Sequence, residues 1–283
     1  MRRDRFAIDR PDGARIVGEA LGEPGAPLLL LIGGATWSLD PWEDGLCEQL
    51  CEQRLRVVRY DQRDTGESTT YPPGKPGYGA ADVIADALAI IGALGAERAH
   101  VAGLSMGGGI AQELGLAHRA HVASLTLIST TPIDPRISSL PGPDPGLFGD
   151  EPEQPGPSDR EAVVERLVED ERPYAGPGNF DEARMRALAG RIFDRSSDLA
   201  ARANHFLLTE STVEPDLDRL AGIPTLVVHG DADPLFPPEH GRALAAAIPG
   251  AELLILEDVG HQLPPPQTWP RLAAAIGELA DRP

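Results

Sequence analysis

Ala99-His100-Val101-Ala102-Gly103-Leu104-Ser105-Met106-Gly107 is an apolar run that ends in a glycine-flanked serine. The first half reads as a buried strand. Gly103–Gly107 matches the pattern G-x-S-x-G, a sharp strand-to-helix turn with the serine at its apex. A serine hydroxyl is a poor nucleophile until a base takes its proton, so such a turn must expose the oxygen and leave room around it. The turn crowds its own flanks, which accounts for glycine at 103 and 107, and Gly108 and Gly109 carry the small residues into the next helix. The start of that helix brings free N–H groups and the positive end of a dipole close to Ser105. Glycine and serine are common residues, so the other strand ends have to decide what the turn is for.

Outward from this turn, similar apolar runs recur at Pro27–Ile32, Leu55–Tyr60, Ala123–Ser129, Thr225–His229 and Glu252–Leu256. Each has the length and continuity of a strand buried on both faces of a parallel sheet. Helical patterns at Pro41–Arg54, Ala80–Leu94 and Met106–His118 separate the early runs, and Pro238–Ala247 and Gln267–Ala280 follow the last two. Two shorter strand-like pieces, Arg5–Asp9 and Arg15–Glu19, flank a turn at Pro11-Asp12-Gly13. Strand alternating with helix implies a mostly parallel sheet with helices on both faces.

The alternation stops between 132 and 222. Residues 132–159 are crowded with proline, glycine and acid, and helical patterns follow at Asp159–Asp170, Asp181–Phe193 and Ser197–Leu208. The expected organisation is a core of residues 1–131 and 223–283 with 132–222 inserted as a helical cap.

In a parallel sheet, active groups collect at the carboxyl ends of the strands. Beyond Thr225–His229 lies Gly230-Asp231-Ala232-Asp233-Pro234, and beyond the last strand lies Asp258-Val259-Gly260-His261. His261 completes the chain order Ser…Asp…His, with Ser105 as nucleophile and His261 as base. Asp233, fixed by the bends at Pro234 and Pro237, is the favoured orienting acid. Asp231 is its rival, equally suited to capping a turn, and Asp134 beyond the sixth strand is an alternative source. His100, His118, His121, His205 and His240 read as structural or solvated, and His229, beside the acid loop, as a packing or hydrogen-bonding residue. An oxyanion hole needs two N–H donors. Met106, next after the serine, supplies one, and Gly34 in Ile32-Gly33-Gly34-Ala35-Thr36 is the favoured second. Asp61-Gln62-Arg63-Asp64-Thr65-Gly66-Glu67-Ser68 reads as a turn braced by its own charges. Trp37, Phe193, Phe206 and Leu207 are candidates for lining a pocket.

These motifs, in this order, resemble the α/β-hydrolase family over nearly the whole chain outside 132–222. Val58–Thr70 and Ala99–Gly107 are similar, more narrowly, to the aclacinomycin methylesterase family, which cleaves a methyl ester from a polyketide in antibiotic biosynthesis. The resemblance implies an α/β-hydrolase fold with a mostly parallel eight-stranded sheet, helices on both faces and an inserted helical cap. It implies serine-dependent cleavage of a carboxylic ester through an acyl-enzyme, with no cofactor and no metal. Two departures stand out. The family's common His-Gly is Ile32-Gly33 here, and the proline-rich segment has no clear counterpart, so the substrate does not carry over. The same triad serves lactone, C–C and peracid chemistry, and a non-hydrolytic ligand-binding protein on this fold is the alternative of a different class. The elbow lacks the aspartate nucleophile of dehalogenases and epoxide hydrolases.

Composition limits the partners. The net charge of −19 argues against nucleic acid and anionic membrane surfaces. No apolar run approaches the roughly 20 residues that span a bilayer. The basic start Met1–Arg5 is not followed by a hydrophobic stretch, so no signal peptide is expected and a cytoplasmic location is. Cys47 and Cys51, four apart on a helix, suit packing better than a disulfide or a metal. A small-molecule ester is the expected partner, and a homodimer is left open.

Overall fold

The turn at Pro11-Asp12-Gly13, with Gly13 at φ +89°, folds β1 (Arg3–Asp9) antiparallel onto β2 (Arg15–Leu21). The computed structural model describes residues 1–149, 155–208 and 213–282, and in it this hairpin begins one eight-stranded sheet. The other strands are β3 (Leu28–Ile32), β4 (Arg56–Tyr60), β5 (Ala99–Leu104), β6 (Val122–Ile128), β7 (Thr225–Gly230) and β8 (Glu252–Leu256). Their order is β1-β2-β4-β3-β5-β6-β7-β8, parallel from β4 onward. The chain order reverses around β3, where β4 pairs on one side and β5 on the other. Such a switch point leaves a crevice at the carboxyl ends of the strands.

Strand β3 shows why the sheet has two covered faces. All five of its side chains are buried, and by strand alternation they divide between two cores. Leu28, Leu30 and Ile32 pack with residues of α2 (Ala80–Ala93), α3 (Met106–Ala117) and α6 (Glu239–Ala247). Leu29 and Leu31 pack with α1 (Asp44–Glu52) and α7 (Trp269–Ala280). Cys47 is buried in the second core and Cys51 half-buried, both as free thiols. Burial pushes the Cys47 thiol up to about 12, which keeps it protonated and inert.

The connection from β6 to β7 holds two helices, α4 (Arg160–Glu171) and α5 (Glu182–Arg195). The aspartates that open their sequence patterns are caps: Asp159 accepts from the Ala162 N–H at 3.2 Å and Asp181 from the Arg184 N–H at 3.0 Å. Val164, Val168 and Ala189 centre a third, smaller apolar cluster between these helices. Among the described residues of 132–159, the one regular piece is a 3₁₀ turn at Pro145–Leu147.

The third expected helix here, Ser197–Leu208, is instead a run of 3₁₀ turns over Leu199–Leu207. Three residues per turn bring Ala201 and Asn204 to the same inner face, and His205 beside them. Phe206 and Leu207 consequently point outward, 72% and 53% exposed, and do not line the cavity described below. Phe193 is also off the pocket: its ring lies under the Arg160 guanidinium at 5.9 Å. No helix among the described residues is long and apolar enough to cross a membrane.

Candidate active site

Ser105 sits between β5 and α3 at φ +52°, ψ −116°, a conformation costly to any residue with a side chain. Backbone contacts enforce it. A Cβ on Gly103 would fall 2.0 Å from the Gly107 carbonyl oxygen, and one on Gly107 would fall 2.4 Å from that of Ile32. The Ser105 N–H donates to the Ile128 carbonyl at 2.9 Å, and its own carbonyl accepts from Thr130 Oγ at 2.8 Å. The glycines at 103 and 107 therefore answer to close chain crossings, and the serine apex is tied to β6 on the neighbouring strand.

The hydroxyl of Ser105 donates to His261 Nε2 at 3.0 Å, and His261 Nδ1–H donates to Asp233 Oδ2 at 2.9 Å. An ionised carboxylate only accepts, so Asp233 fixes the imidazole proton on Nδ1 and leaves the Nε2 lone pair toward the serine. The other carboxylate oxygen, Oδ1, accepts from the N–H groups of Leu235 and Phe236 at 2.9 and 2.8 Å. The bends that flank Asp233 thus turn two backbone donors onto it. The Phe236 ring stands edge-on to His261 with centroids 5.3 Å apart. His229, fully buried, donates from Nε2 to the Phe236 carbonyl at 2.8 Å. Burial holds its pKa below the usual histidine value, so it is a neutral neighbour of the pair.

The two other acids considered lie elsewhere. Asp231 accepts from the Asp258 N–H at 2.7 Å and caps that turn. Asp134 is paired with Arg136 at 2.5 Å, and this guanidinium holds its carboxyl below the usual range.

Gly34 passes beside the serine. A Cβ built on it would lie 3.6 Å from Ser105 Cβ and 3.3 Å from Leu104 Cδ2. Among the described residues no group accepts a hydrogen bond from the N–H of Gly34 or of Met106. Two donors are therefore open next to the hydroxyl. The side-chain amide of Gln62 donates to the carbonyls of Gly33 and Gly34 at 3.2 and 3.1 Å, bracing this loop from behind. Gln62 belongs to the Asp61–Ser68 turn, whose charges are not spent on one another as expected but pair with groups outside it: Asp61 with Arg195 and Arg63 with two acids from other segments. Arg63, 1% exposed, forks onto Asp86 at 2.7 and 3.0 Å and reaches Asp12 at 2.6 Å.

A cavity continuous with solvent opens between the residues that follow Gly34 and those that follow His261. Thr36, Trp37 and Gln262 form its core-side wall. Leu167, Met185 and Leu188 from α4 and α5 form the opposite wall. Glu171 and Arg202 also line it. Burial raises the Glu171 carboxyl against the pull of Arg202 and His261.

The β6–β7 connection is pinned over this cavity. Backbone crosses backbone at Tyr174–Gly176 and Asp258–Gly260, so close that a Cβ on Gly176 would overlap the Asp258 carbonyl at 1.8 Å. Arg195 at the end of α5 pairs with Asp40 and, at 2.6 Å, with Asp61, which is fully buried. Arg184 pairs with Glu43 at 2.8 Å. None of these cross-links was visible in the sequence, and neither were the roles of Gln62 and His205 described below.

A family model for the alpha/beta hydrolase fold matches residues 26–264. Over 94% of its length, and 94% of theirs, the chain is 33% identical to the rhodomycin D methylesterases of Streptomyces sp. strain C5 and Streptomyces peucetius. An esterase from Rhodococcus sp. ECU1013 shares the fold with a TM-score of 0.74 at 22% identity, covering 99% of this chain and all of that one. The chain belongs to the α/β-hydrolase family.

Proposed function

We propose that this protein hydrolyses a carboxylic ester in two steps through an acyl group carried on Ser105. The observation that carries this reading is the unbroken relay Ser105–His261–Asp233, with the N–H groups of Gly34 and Met106 left open and a cavity lined by Thr36 and Gln262, close in sequence to Gly34 and His261. Ser105 Oγ attacks the ester carbonyl while His261 Nε2 takes the hydroxyl proton, and Asp233 stabilises the imidazolium that forms. The N–H groups of Met106 and Gly34 hold the negative oxygen of the tetrahedral intermediate. His261 then gives the proton to the departing alcohol. A water, deprotonated by the same nitrogen, releases the acid and restores the serine.

The substrate proposed is a methyl ester of a polyketide-type small molecule. Support comes from the two similar methylesterases and from a cavity wall rich in aliphatic side chains. Residues 132–222 are assigned the part of a cap that shapes the site, over a core of 1–131 and 223–283. A partner other than nucleic acid fits the net charge of −19, and a cytoplasmic location fits the free thiols of Cys47 and Cys51.

The direct test compares wild type with Ser105→Ala on short nitrophenyl esters. Loss of a triad serine lowers kcat by about 10⁶. Equal hydrolysis by both proteins contradicts the nucleophile. Binding of an ester without turnover by the wild type favours a non-hydrolytic binding protein instead.

A further inference from the structure

We propose that His205, on the β6–β7 connection, is a positioning residue for the loop that carries the Gly34 N–H, so that the active site is complete only with this connection docked. The proposal rests on the oxyanion role assigned to Gly34 above.

His205 is 5% exposed and plugs between two core loops 169 and 142 residues away in sequence. Its Nδ1 accepts from the Thr36 N–H at 2.8 Å, and its Nε2–H donates to the Arg63 carbonyl at 2.7 Å. Only the neutral ring with its proton on Nε2 satisfies both, since an imidazolium would oppose a donor to the Thr36 N–H. Burial disfavours the imidazolium, in keeping with that form.

Thr36 needs the restraint. At φ +68° it occupies the left-handed region, which costs a residue with a Cβ about 1–2 kcal/mol. The loop Gly33–Thr36 contains two glycines and so has little stiffness of its own. Its peptides are aimed from two sides. Gln62 holds the Gly33 carbonyl, and in a trans peptide the Gly34 N–H then points the opposite way. His205 holds the far end of the same loop through Thr36. An error of about 1 Å in such a donor costs on the order of 100-fold in rate.

Docking itself does not depend on His205 alone. Its neighbour Asn204, fully buried, accepts from the Gly74 N–H at 2.7 Å and donates to Asp64 at 3.0 Å. A purely structural role for His205 would accordingly show in stability and not in kcat.

Two variants separate its two bonds. His205→Asn keeps an amide near the Nδ1 position, which faces Thr36, whereas His205→Gln keeps one near Nε2, which faces Arg63. On a nitrophenyl ester, His205→Gln is expected to lose about 10- to 100-fold in kcat with KM nearly unchanged. Inhibition by phenylboronic acid, a tetrahedral mimic, should weaken in parallel. His205→Asn is expected to recover most of kcat. Wild-type kcat in His205→Gln overturns the proposal, and so do equal losses in both variants that follow their melting temperatures. If Ser105→Ala is as active as wild type, the reading of the site fails and this proposal with it. An inactive Ser105→Ala beside a fully active His205→Gln removes this proposal alone.

Discussion

The loops that carry Ser105 and His261 are held by backbone against backbone, and the connection that covers them is held mainly by long charged side chains. At the first, a Cβ on Gly103, Gly107 or Gly230 would fall within 2.4 Å of a carbonyl oxygen, so no other residue fits without moving the chain. At the second, Arg184 and Arg195 reach from α5 to carboxylates on the core. The apolar cluster between α4 and α5 is small and separate from the two cores of the sheet. Close packing of backbone fixes atomic positions to fractions of an ångström, as a nucleophile and its base require. Ion pairs hold a surface in place while leaving its shape free to vary. On the proposed reading, the chemistry and the choice of substrate are built from different materials, with His205 and the Gly176–Gly260 crossing as the joints between them.

The largest expected effect lies on the rigid side. Asp233→Asn should lower kcat by about 10⁴, because an amide no longer holds the proton on Nδ1 of His261. Asp231→Asn should stay within about 10-fold of wild type, since Asp231 caps only the Asp258 N–H. The reverse ranking in steady-state kinetics would move the acid to the other residue and break the distinction drawn here.

On the covering side, Arg195→Met leaves Asp61 fully buried and without its guanidinium. Burial already raises the Asp61 carboxyl with Arg195 present. The expected cost is about 3 kcal/mol in urea unfolding, with KM rising more than kcat falls. Arg160→Met is the control, because the Arg160–Asp194 pair is half exposed and its loss should leave the urea midpoint close to that of wild type. Similar losses in the two variants would mean that the link to Asp61 does not pin α5.

The smallest effect is a pH dependence at the joint. Burial lowers the His205 pKa below its ordinary 6.5. An unfolded chain takes up this proton near pH 6.5, and the folded one takes it up only at a lower pH. The folded state then binds fewer protons in that window, so stability is full above 6.5 and declines as pH falls toward the depressed value. His100 and His229 shift the same way and add to the slope. Urea midpoints at pH 7.5 and 5.5 should show His205→Asn losing about 1 kcal/mol less than wild type over this interval. An identical loss would indicate that His205 titrates normally in the fold.

Much of the rigid side could be read along the chain, because its constraints are local. Glycines at 103 and 107 crowd atoms within a few residues or on the adjoining strand. The order of Ser105, Asp233 and His261 follows from which strand each residue ends. Asp231 and Asp233 were separated by the bends at Pro234 and Pro237, which in the fold turn the Leu235 and Phe236 N–H groups onto Asp233. The covering side resisted for the opposite reason. His205 meets Thr36 across 169 residues and Arg195 meets Asp61 across 134, and neither distance leaves a periodic trace. The apolar pattern at Ser197–Leu208 suggested a helix with Phe206 and Leu207 inward, but tighter 3₁₀ turns exposed both to let Asn204 and His205 reach the core.

The central claim is that Ser105 becomes covalently acylated, and trapping with a fluorophosphonate followed by peptide mass spectrometry addresses it directly. A single adduct on the peptide containing Ser105 is expected in wild type, strongly slowed in Asp233→Asn and missing in Ser105→Ala. An adduct on any other residue, or hydrolysis of nitrophenyl esters undiminished after complete labelling, would contradict it.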